Sequence, residues 1–159
     1  MDKEMLRTYT ARITQANKSE LVTIVFDIII YNLETAEKAY VEKDDDLFES
    51  ALKQAQKFIN ELISTLDFEQ VISFDLMQLY LYVNKRVVSA LIKKDPETIP
   101  SAIKVMKELL VGFEGVAKED QSSPVMENTQ QLYAGLTYGK GTLNEIYMNP
   151  NEHNRGFKA

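Results

Sequence analysis

Apolar side chains recur at helical intervals along most of this 159-residue chain. Between Ser19 and about Lys43 they fall at positions 21, 25 and 28 and again at 22, 25, 29, 33, 36 and 40. Spacings of three and four on two overlapping series cover more than one face, so this helix is expected to be the most buried. Ser19 or Asn17 supplies a side-chain oxygen for its first turn. The acidic run Asp44-Asp45-Asp46 then closes one helix and caps the next, from Leu47 to about Leu66. That second helix lays Phe48, Leu52, Ala55, Ile59, Leu62 and Leu66 on one stripe and turns Gln54, Lys57 and Glu61 to water.

A third helix starts between Phe68 and Asp75 and runs to Lys94, where Asp95-Pro96 stops it because the residue before a proline avoids helical geometry. Its inner stripe is Leu76, Leu79, Tyr80, Val83, Val87 and Leu91. A fourth covers about Glu97 to Lys118, with Ile99, Ala102, Met106, Leu109 and Phe113 inward and Pro100 in the first turn, where a missing amide hydrogen is tolerated. Four helices of about 22 residues are each roughly 33 Å long. Short connections between equal helices make neighbours antiparallel, so the pattern predicts an all-α fold, an antiparallel up-down four-helix bundle. An N-terminal arm, residues 1–17, completes a bundle domain of residues 1–118 as a short helix or a flexible arm. Residues 119–159 form a Gly- and Pro-containing C-terminal extension, read as mostly extended.

Composition supports the helices. The first Pro is Pro96 and the first Gly is Gly112, so ninety-five residues run without either strong helix breaker. Hairpins and phosphate-cradling loops have no material there. Chemistry is scarce as well. There is no Cys, and the single His, His153, lies in the extension, which removes thiolate sites, His-held haem, the Glu-x-x-His pairs of di-iron bundles and a phosphotransfer His from the body. No catalytic residue, cofactor or metal is expected, and the chain is not read as an enzyme. The run Gly135 to Thr142 imitates a phosphate loop but has three residues where four are required and an intervening Gly. A net charge of -6 argues against nucleic acid, whose phosphates are met by clustered Lys and Arg. The most apolar stretch, Ile24 to Tyr31, is far shorter than the roughly 20 residues of a membrane span, and the first residues carry no secretory signal, so neither insertion nor general export is expected. The expected location is cytoplasmic.

The third helix has a surplus. Beside its inner stripe stands a second, Met77, Leu81, Val88 and Ile92, at intervals of four, seven and four. Three explanations stay open: core for a wide helix contact, a homodimer face, or a groove for an amphipathic segment of another protein. Met77, Tyr80 and Tyr82 are adaptable or amphipathic residues of the kind that grooves employ.

Several short motifs occur in an order that resembles the flagellin-specific export chaperone family, FliS, over about residues 6–113. Tyr9 is similar to the tyrosine of that family's N-terminal arm, ANKSEL at 16–21 to its Thr-Ala-Ser-Pro-Glu-Glu-Leu helix start, and Phe26-Asp27 to its Tyr-Asp pair. STLD at 64–67 resembles the end of the second helix, LYLYV at 79–83 the Leu-Tyr-x-Tyr of the third, and Arg86 and Ala90 follow at the family's intervals. The chain departs at Lys18, where the family has Pro, at Ile28 for Gly, at Leu91 for Asn and at Phe113 for Trp.

The resemblance implies a cytoplasmic, non-enzymatic chaperone that binds the C-terminal amphipathic segment of flagellin, prevents premature polymerisation and aids secretion by type III export. It implies contact with components of the flagellar export gate, and a role for the arm, through Tyr9 and Ile13, in gating the groove. Met77, Leu81, Val88 and Ile92 are the groove residues read from the surplus stripe. The extension is expected to cover an apolar surface as a tethered competitor or to be a plain tail. The rival reading is a dimeric helical scaffold that pairs through the same stripe without binding flagellin.

Overall fold

The computed structural model describes residues 3–125, and every regular element among them is a helix. The elements are α1 (Lys3–Gln15), α2 (Lys18–Val41), α3 (Asp45–Ser64), α4 (Ile72–Lys93) and α5 (Ile99–Glu119). Expectations about residues 126–159, including His153 and the Gly135–Thr142 run, lie outside the described residues. No helix among the described residues is long and apolar enough to cross a membrane.

The described residues divide into two compact units, one of residues 3–18 with 122–125 and one of residues 19–121. In the first, the arm is helical, with Tyr9 and Ile13 buried four residues apart on one face. The Arg12 guanidinium lies 5.6 Å from the centre of the Tyr9 ring, and the Val125 amide donates to the Ala16 carbonyl at 3.1 Å.

In the second unit one continuous core is built from all four long helices. Phe26, Ile29 and Leu33 of α2, Leu52 and Ile59 of α3, Val83 and Val87 of α4, and Ile99 and Met106 of α5 are fully buried in it. α3 packs on α4, and α4 on α5. α2 joins them through side chains. Phe26 meets Tyr80 with ring centres 6.2 Å apart and Phe113 edge-on at 5.1 Å. Lys107 reaches Glu34 at 2.9 Å, and the Ser19 hydroxyl donates to Asp120 at 2.6 Å. Burial pushes the Tyr80 hydroxyl up to about 12, so the ring stays neutral in the core.

Helix ends follow local chemistry. Asp44 caps α3 by accepting from the Leu47 amide at 3.0 Å, the role read from the acidic run. Ser19 is no cap; α2 begins one residue earlier, and the hydroxyl is engaged by Asp120 instead. Leu79, expected inside, is 38% exposed; it sits at the rim of the core arc, about 60° round the helix from Leu76. Leu91 is half-buried against the core.

The Gly-free stretch has a structural cost. Lys43 and Lys94 take left-handed backbone, φ 58° and 50°, just past α2 and α4, at positions where Gly is usual. Lys94 is exposed and its amide donates to the Ala90 carbonyl. Lys94→Gly keeps that bond and removes the Cβ penalty, partly offset by greater freedom of the unfolded chain, so a net gain of about 0.5–1 kcal/mol in urea unfolding is expected. A loss of stability would show that the Lys94 side chain contributes more than its backbone costs.

Candidate functional site

α4 is apolar on two faces because its sequence runs two phases of the 100° repeat side by side. The inner arc, Leu76, Tyr80, Val83, Val87 and Ala90, is buried. The structure places the four residues of the surplus stripe together on another arc. Met77 and Val88 lie half-buried at its edge, while Leu81 is 45% exposed and Ile92 77% exposed. Plain core therefore does not account for Leu81 and Ile92. Phe74, seven residues before Leu81 and also exposed, extends the same stripe by a turn.

The border of the stripe is polar. Lys85 is exposed between Leu81 and Val88. Arg86 lies over the Tyr82 ring at 5.1 Å, and hydrogen bonds from Arg86 and Ser101 hold the Tyr82 hydroxyl below the usual tyrosine range. The Arg86 carbonyl accepts from Thr98 at 2.7 Å, which fixes the α4–α5 turn against α4. Asn84 falls seven residues after Met77 and four before Val88, hence beside the stripe. Its amide oxygen is buried and has no hydrogen-bond partner among the described residues.

Tyr9 and Ile13 share a face of α1, and α1 belongs to the other compact unit. Sequence reading missed Phe68, Val71, Ile72 and Phe74, all exposed apolar residues at the α3–α4 turn. The periodicity left the start of α4 open across these positions, so it assigned them no face. Projecting the stripe three residues back from Met77 would have found Phe74. No group of three or more His, Cys, Asp or Glu side chains able to hold a metal ion occurs among the described residues. A shallow cleft of about 440 Å³ between α2 and α5 is lined by Glu34, Glu37, Pro100, Ile103, Lys104, Lys107 and Glu108. Burial, with the nearby Glu34 charge, raises Glu37 above the ordinary carboxylate value, while Lys107 draws it down.

A helical domain whose central helix gives one apolar face to its own core and holds another open belongs with helical proteins that dock other chains. The family model described as flagellar protein FliS matches residues 2–120, which is 119 of the 159 residues. The chain belongs to the FliS family of flagellar export chaperones. No curated protein matches the sequence. Phe113, standing where the family resemblance carries Trp, packs edge-on against Phe26.

The orphaned amide gives a direct test of how the stripe is built. An unpaired buried polar oxygen costs about 1–3 kcal/mol, and Leu has the same heavy-atom branching as Asn without its polar atoms. Asn84→Leu is expected to raise the free energy of urea unfolding by about 1 kcal/mol. Destabilisation would mean that the amide is engaged in solution.

Proposed function

We propose that this protein is a cytoplasmic flagellar export chaperone that holds the C-terminal amphipathic segment of flagellin on the outer face of α4. The observation that carries this reading is the pair Leu81 and Ile92, apolar and exposed on a helix whose opposite face is fully buried. An amphipathic segment polymerises when its apolar stripe meets another copy, so a partner that covers the stripe keeps the subunit single and exportable. Met77 and Val88 form the floor of the groove, and Leu81 and Ile92 its contact points. Tyr9 and Ile13 are assigned to the same partner through the arm that the family resemblance implies. No nucleotide or metal enters the mechanism.

The proposed scaffold is an antiparallel up-down four-helix bundle of α2 to α5 within a domain of residues 1–118, followed by an extension of residues 119–159. Three contacts support the direction of α2 against α5: Ser19 with Asp120, Phe26 with Phe113, and Glu34 with Lys107. Positions rise on one helix as they fall on the other. Short turns after α2, α3 and α4 support the remaining reversals.

Calorimetric titration with a flagellin C-terminal peptide tests the assignment. Leu81→Asp and Ile92→Asp each place an unpaired carboxylate in the docked contact and are expected to weaken binding by about tenfold or more. Both residues are exposed, so the variants should fold as the parent does. Unchanged affinity would remove α4 from the site. Absence of peptide binding by the parent chain, with a dimer that the same substitutions dissolve, would favour the scaffold reading.

A further inference from the structure

The densest group of exposed apolar side chains among the described residues is at the α3–α4 turn, where Phe74 forms the N-terminal end of the α4 stripe. Phe68, Val71, Ile72 and Phe74 all face solvent, Val71 at 85% exposure, and the Phe68 and Phe74 rings lie 5.4 Å apart. The turn that presents them is firmly built. Asp67 accepts from the Glu69 amide through its carboxylate, and its carbonyl accepts from the Gln70 amide and the buried Ser73 hydroxyl. The Gln70 carbonyl accepts in turn from the Ser73 amide. Every one of these bonds is internal to residues 67–73, so the apolar side chains are displayed on a fixed frame and docking onto them orders little chain.

The charge around this group has one sign. Between Lys57 and Lys85 there is no basic residue, while Glu61, Asp67, Glu69 and Asp75 contribute four negative charges. Asp67, Glu69 and Asp75 are exposed and flank the aromatic pair. An apolar patch with aromatic anchors and an acidic rim is complementary to an apolar segment bordered by Lys or Arg. A second copy of this chain would bring the same acidic rim against itself, and an anionic lipid surface would be repelled.

We propose that the α3–α4 turn is a docking tip for a cationic amphipathic helix of a partner protein, distinct from the groove residues Met77, Leu81, Val88 and Ile92. Phe68 and Phe74 are the anchors, and Glu69 and Asp75 set the sign of the partner. Ile92 of the groove is about 27 Å along α4 from Phe74, so both sites are available on one molecule.

The full chain is titrated with a Leu/Lys amphipathic peptide of about four helical turns and with its Leu/Glu counterpart. The tip should bind the Leu/Lys peptide, more weakly as salt rises, and bind the Leu/Glu peptide at least about tenfold less tightly. Phe68→Ser with Phe74→Ser should lower affinity for the Leu/Lys peptide about tenfold or more, whereas Ile92→Asp should leave it unchanged. Glu69→Lys with Asp75→Lys should abolish both binding and its salt dependence; this exposed pair decides the question if the Phe variants fail to fold. Flagellin-peptide titration of the Glu69→Lys with Asp75→Lys variant separates the two sites, since both residues lie off the α4 stripe and their substitution should not change it. The proposal is overturned by equal binding of both peptides, by tip variants that bind as the parent does, by tip-dependent binding to vesicles of anionic phospholipid, or by tip-dependent dimerisation in sedimentation.

Discussion

The constraint on which the rest depends is that a helix packed between two neighbours has only part of its circumference to give to a core. α4 touches both α3 and α5, and Tyr80, Val83 and Val87 fill the arc between them. The sequence of α4 is apolar beyond that arc. At 100° per residue, Leu81 and Ile92 project well away from Val83 and Val87, and no adjustment of rotamers brings them inside. Burying one apolar side chain is worth about 1.5–3 kcal/mol, so leaving several exposed forgoes stability that a self-sufficient bundle would take. On the proposed reading, a partner that covers them recovers it.

Regular periodicity was the most legible part of the chain. The single stripe of α3 and the Asp44 cap were readable because each depends on residues within a few positions of one another. The inner stripe of α5 was equally plain, with Pro100 marking its first turn. The surplus face of α4 was legible as a pattern but not as a surface, because core and groove residues have the same chemistry. Only packing separates half-buried Met77 and Val88 from exposed Leu81 and Ile92. Leu79 shows the reverse error, an apolar residue that helical spacing placed on the inner stripe and that packing leaves at its exposed rim.

The α3–α4 turn was hidden for a different reason. Phe68, Val71 and Ile72 lie where the hydrogen bonds of Asp67 and Ser73 set the backbone before and at the start of α4, so periodicity could assign them no face. Left-handed Lys43 and Lys94 were likewise unreadable, because Lys carries no signal for that backbone. They are the counterpart of the missing Gly. A chain without Gly before residue 112 still has to end its helices, and it does so with residues that pay in backbone strain.

The division of α4 into a core face and a partner face is the central claim, and methyl NMR of the full chain tests it most directly. On addition of a flagellin C-terminal peptide, the methyl signals of Leu81, Val88 and Ile92 should shift and broaden, while those of Leu33, Val83 and Val87 should stay in place. Shifts confined to other helices, or equal shifts on both faces of α4, would contradict the account.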